Sequence, residues 1–174
     1  MATFADWLGR LLGHPESEVQ RLLEDQTAVQ FLIAWSLFEA KCFGGFLHES
    51  DIRAFADRVA AGSEFPLREL EPVARHFHER YQNERYLRNL LYKRECPELQ
   101  RLLRRPLPEL TGAEVVFLCS FVAYRFRNNI FHGNKGVTSW LRFKPQIRFC
   151  IKVMQVFVSH AESKTPSVRI GAAA

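Results

Sequence analysis

No apolar run in this 174-residue chain reaches the roughly 18 residues that a membrane-spanning helix needs. The first ten residues, MATFADWLGR, carry an acid where a secretory leader would carry bases. These two absences argue against a membrane partner and predict a cytoplasmic protein. Cysteine is sparse as well. Cys42, Cys96, Cys119 and Cys150 lie far apart, three of them inside apolar helical stretches, so they read as reduced thiols and exclude a disulfide framework. None lies close enough to another Cys or His to suggest zinc, and neither a metal nor another cofactor is predicted. There is no internal repeat, and no run demands a strand.

The most informative absence is of acid. From Val115 to Ala161 there is no Asp or Glu, whereas Arg125, Arg127, Lys135, Arg142, Lys144, Arg148 and Lys152 make that stretch +7. The chain as a whole carries +5, so the remaining residues sum to −2. Positive charge confined to one segment fits a local anionic partner such as RNA. The alternative is a basic face that meets acids of the same fold.

The chain that remains reads as helices around one core, residues 1–162, followed by a small polar tail at 163–174. Phe4, Trp7, Leu8, Leu11 and Leu12 trace an amphipathic helix stopped by Gly13. A second helix begins near Ser17. Val29 to Leu47 is apolar almost throughout and predicts a central buried helix. Glu39 interrupts it, and a carboxylate there needs a cation, Arg125 or Arg127, unless it lies on an exposed strip. Ser50 to Ala61 predicts a helix closed by Gly62. Pro66 to Lys93 predicts a long amphipathic stretch that Pro72 kinks or restarts. His76 and His78 within it read as surface residues, and Arg101 to Leu110 as a loop built on Pro106 and Pro108. Pro145 suits the first turn of a last helix, with Ile147, Ile151, Met154 and Val158 inward.

One stretch organises the rest: TGAEVVFLCSFVAYRFRNNIFHGNK, residues 111–135. Thr111 and Glu114 have capping-box spacing, and a body apolar on every face follows. Arg125, Arg127, Asn128, Asn129 and His132 then crowd the C-terminal end before Gly133. On a helix Arg125 and His132 share a face, and Asn128 and His132 are an i, i+4 pair. A histidine beside arginines at a negative helix end is suited to acid–base work on a phosphodiester.

These residues resemble a known signature. RNNIFH, at the end of a buried helix, is similar to the Arg-polar-x3-His motif of the HEPN superfamily (higher eukaryotes and prokaryotes nucleotide-binding domain). The resemblance implies an all-α, single-domain helical bundle. It also implies a metal-independent endoribonuclease of the kind found among toxins and phage-defence effectors, with a composite site where two copies meet in a homodimer. On that reading Arg127, Asn128 and His132 are catalytic, and Glu39, Arg125 and Asn129 support them. Lys135, Arg142, Lys144, Arg148 and Lys152 would hold RNA, and an antitoxin or regulatory protein is a possible further partner. The chain lacks the C-terminal tyrosine motif of the nucleotidyltransferase-paired branch. Two other readings stay open: a non-catalytic module binding RNA, nucleotide or protein, and a purely structural role in which Arg127 pairs with Glu39 and His132 caps the helix.

Overall fold

The computed structural model describes residues 3–92, 94–131 and 142–164, whose regular structure is helical, with no strand among them. The helices are α1 Phe4–Leu12, α2 Glu16–Glu24, α3 Gln26–Cys42, α4 Asp51–Ala61 and α5 Leu67–Tyr81, then α6 Glu84–Leu91, α7 Pro97–Leu103, α8 Gly112–Phe131 and α9 Lys144–Lys164. A 3-10 turn, Leu107–Glu109, links α7 to α8. The all-α architecture is as the sequence implies.

Helix α8 is the axis. It touches α4, α5, α6, α7 and α9, while α9 packs mainly along α3. Every residue from Val115 to Ala123 is buried, including Ser120, whose hydroxyl donates to the Val116 carbonyl. The capping box forms as its spacing dictates. Thr111 N–H donates to Glu114 at 2.8 Å, and Glu114 N–H donates to the Thr111 hydroxyl at 3.3 Å. Arg105 adds a bond to the same carboxylate at 2.6 Å. These contacts hold the Glu114 carboxyl below its ordinary range, the Thr111 N–H contributing most.

Several expectations are corrected by packing. Helix α3 ends at Cys42, not near Leu47. Gly44 and Gly45 take positive φ, and the N–H groups of Phe43 and Gly45 both close on the Glu39 carbonyl. Nor is α3 buried all round. Phe31, Trp35 and Phe38 face the core, while Val29, Leu32, Ile33 and Leu37 lie on the exposed face. The apolar stripe of α1 also points outward, with only Leu8 buried. Ser50 stands before α4 without capping it. The break in the 66–93 stretch falls at Gln82–Asn83, where the Asn83 side chain caps α6, and Pro72 is carried inside α5. His78 is buried, with ring bonds to the Arg105 carbonyl and Gln82. His76 is half-buried and stacks on Phe149 at 4.1 Å. Residues 101–103 belong to α7, and α9 runs to Lys164, two residues into the expected tail.

The loop between α3 and α4 is pinned at alternate points. Phe43 packs on Phe38 and Phe55, at 5.2 and 4.7 Å between ring centroids. Leu47 is buried, and its N–H donates to the Glu39 carboxylate at 3.2 Å. Phe46, between those anchors, is left 63% exposed. That loop forms one wall of the site.

Candidate functional site

The C-terminal end of α8 opens into a cleft of about 640 Å³. Tyr124, Arg125, Arg127 and Asn128 line it from α8, Phe46, Leu47 and His48 from the α3–α4 loop, and Tyr92 and Arg94 from beyond α6. The four α8 residues are consecutive or nearly so, and Tyr124, Arg127 and Asn128 are half-buried on the face that meets the cleft, while Arg125, Phe126, Asn129 and Ile130 stay buried.

The two arginines of α8 do different jobs. Arg125 is buried to 4% exposure. Its Nη2 donates to the Leu91 carbonyl at 2.7 Å, and its Nε to the Leu90 carbonyl at 3.4 Å. Asn129, also buried, donates from Nδ2 to the same Leu90 carbonyl at 2.9 Å. Leu90 and Leu91 are the last residues of α6, whose final carbonyls have no partner within their own helix. Arg125 and Asn129 therefore close that helix end, and a cation there also meets the negative pole of the dipole. Burial pushes the Arg125 guanidinium below arginine's ordinary value, against the pull of Glu49.

Arg127 is half-buried beside the cleft. Its Nη1 donates to Asn128 Oδ1 at 3.1 Å, and its guanidinium lies 5.7 Å from the Trp35 ring and 5.9 Å from the Phe46 ring. Cation–π attraction to the two rings helps hold this planar cation at the cleft wall.

Glu39 does not pair with Arg125: it is half-buried and accepts from Leu47. The acid facing Arg125 is Glu49, with Oε2 3.7 Å from Arg125 Nη1 and 3.6 Å from Arg94 Nη1. Both distances exceed a hydrogen bond, so Glu49 acts on the two guanidiniums through charge alone.

His132, Lys135 and Gly133 lie outside the described residues. Of the other expected RNA contacts, Arg142, Lys144, Arg148 and Lys152 do not line this cleft. Lys144 pairs with Asp25, and Lys152 with Glu69 at 3.7 Å, so part of the basic segment meets acids of its own fold. The body of α8, Val115 to Ala123, is enclosed by its own chain, so any surface this helix offers lies toward its ends. Among the described residues, no three metal-ligating side chains converge, and no helix is long and apolar enough to cross a membrane.

Sequence reasoning missed Tyr92, Arg94, Phe46 and His48. Tyr92 stands at φ 44, ψ 72, the left-handed region, where its N–H closes α6 on the Arg88 carbonyl. Glycine or asparagine suits that position, and a bulky residue there costs about 1–2 kcal/mol. Phe46 did have a signal, the Gly44-Gly45 pair just before it.

Comparison with known proteins returns no matching family, no matching curated protein and no matching solved structure.

Proposed function

We propose that this chain is a HEPN-type endoribonuclease that binds RNA in the cleft at the end of α8 and cuts it without a metal. The observation that carries the reading is the meeting of Arg127 and Asn128 with Arg94 and the exposed rings of Phe46 and Tyr92 in one cleft. Guanidiniums take phosphates and exposed rings take bases, so cleft and motif suit the same polyanion. In the proposed reaction His132 removes the proton of a ribose 2′-OH, whose oxygen attacks the adjacent phosphorus. The bond to the 5′-oxygen breaks, and that oxygen leaves with a proton. The products are a 2′,3′-cyclic phosphate end and a 5′-hydroxyl. Arg127 stabilises the charge gathering on the phosphoryl oxygens, and Asn128 orients its guanidinium.

A homodimer joined at the α8 ends would bring two His132 side chains together, and control by an antitoxin or regulatory protein suits such an enzyme. The test is cleavage of mixed RNA by wild type and His132→Ala, each with excess EDTA and with the fold checked by circular dichroism. Cutting by wild type alone, unaffected by EDTA and leaving cyclic phosphate ends, is the expected result. Equal rates remove His132 from the chemistry, and loss of cutting in EDTA removes the metal-free route. Binding without cutting would leave the chain as an RNA-binding module.

A further inference from the structure

The side chain of Tyr92 makes no hydrogen bond, ion pair or ring contact with the described residues, yet it occupies a strained backbone position. Tyr92 is 44% exposed and lines the cleft. Among the described residues no hydrogen bond, ion pair or ring contact accounts for a tyrosine there, and glycine would close α6 with less strain. Strain kept where no such contact requires it points to use by a ligand.

We infer that Tyr92 is a stacking platform for an unpaired base, with Arg94 gripping a neighbouring phosphate, so that the cleft takes single-stranded rather than duplex RNA. The inference deepens the RNA reading proposed above and rests on it. Three further observations support it. Phe46 offers a second open ring in the same cleft. The cleft volume, about 640 Å³, lies within the roughly 300–1,000 Å³ typical of small-ligand sites, a size that suits splayed-out bases. Finally, Arg94 also lines a neighbouring cleft of about 490 Å³ that carries Arg88 and Arg104. A strand crossing Tyr92 thus finds guanidiniums on both sides, and only a strand with its bases splayed can present a ring face to Tyr92.

The test uses a single-stranded 2′-O-methyl RNA containing 2-aminopurine, which binds but offers no 2′-hydroxyl to react. Wild type and Tyr92→Phe should bind alike and quench the fluorescent base. Tyr92→Leu and Tyr92→Gly should bind on the order of 10-fold more weakly, the loss expected for one stacked base, and should not quench it. Tyr92→Gly should melt no lower than wild type, which separates lost stacking from lost fold. The matching duplex should bind more weakly and be indifferent to Tyr92. Wild-type affinity in Tyr92→Leu, or equal binding of duplex and single strand, overturns the inference. Cutting of unmodified RNA at the wild-type rate by Tyr92→Leu, with wild-type binding, sinks the stacking role and leaves the ribonuclease standing. Tyr92-dependent binding without any cutting does the reverse, and no binding at all sinks both.

Discussion

The Arg125 guanidinium donates to the Leu91 carbonyl at 2.7 Å, tying the end of α8 to a helix end 34 positions earlier in the chain. An arginine two residues before the Arg-polar-x3-His motif is thus occupied by the fold, and its role and that of Arg127 can be separated by experiment. Arg125→Ala should lower unfolding free energy by about 2–3 kcal/mol, because buried carbonyls lose a charged donor. Arg127→Ala should cost less stability than Arg125→Ala, because its side chain is half-buried where that of Arg125 is buried, while weakening RNA binding and cutting. Urea denaturation beside RNA titration decides. A large stability loss in Arg127→Ala with intact binding would reverse the assignment.

Glu49 stands between Arg94 and Arg125 without a hydrogen bond to either. Its charge, which favours the two guanidiniums, would also oppose a phosphate approaching Arg94. Glu49→Gln should tighten single-stranded RNA binding about five-fold at low salt, corresponding to about 1 kcal/mol of relieved repulsion. The gain should shrink as salt rises. Weaker binding in the variant would show that Glu49 positions the arginines instead.

The Thr111–Glu114 capping box is reinforced by Arg105. Glu114→Ala should remove about 1–3 kcal/mol of stability, since the carboxylate satisfies both a helix-end N–H and a guanidinium. Glu114→Gln should recover part of this through the neutral amide. Thermal melts at neutral pH would measure both, and unchanged melting in Glu114→Ala would mean that the helix start is held by packing alone.

Two histidines should make the fold acid-sensitive. Burial, and then Arg80, holds the His76 imidazole below its ordinary pKa, with Glu79 opposing. Burial, and then Lys164, does the same at His160, with Glu64 opposing. Below the ordinary imidazole value of roughly 6.5 the unfolded chain takes up these protons before the fold does. Stability is then full above that value and falls as pH drops through it. His76→Phe should flatten the decline, because the ring stacks on Phe149 and Nε2 has no hydrogen-bond partner to lose among the described residues. Melting temperatures between about pH 5 and pH 8 test this, and an equally steep fall in the variant would place the sensitivity elsewhere.

Local chemistry was legible in the sequence where neighbouring residues decide the outcome. The capping box, the buried body of α8, the stop at Gly13 and the first turn of α9 at Pro145 all depend on short-range spacing. Missed features were those set by distant partners. That Arg125 and Asn129 close α6 depends on α6 lying across the end of α8, which no local pattern encodes. The burial of His78 follows from the Arg105 carbonyl, 27 positions away. Helix α3 looked fully buried because an apolar residue reads alike whether it faces core or solvent. Some signals were overlooked: Pro97 suits the first turn of α7, and Gly44-Gly45 marks the end of α3. Tyr92 gave no sign of itself, since its importance lies in a backbone angle that tyrosine seldom adopts.

Because Leu90 and Leu91 are gripped by Arg125 and Asn129, Tyr92, the next residue, cannot shift independently of the α8 turn that carries Arg127. The α6 and α8 sides of the cleft are thus tied together by hydrogen bonds, and the loop opposite is anchored through Leu47. A receptor of this kind is preorganised, and the ordering entropy of association falls on the RNA strand. Titration calorimetry should then show a heat-capacity change no larger than the contact area accounts for, without the added contribution that folding of a protein segment would bring.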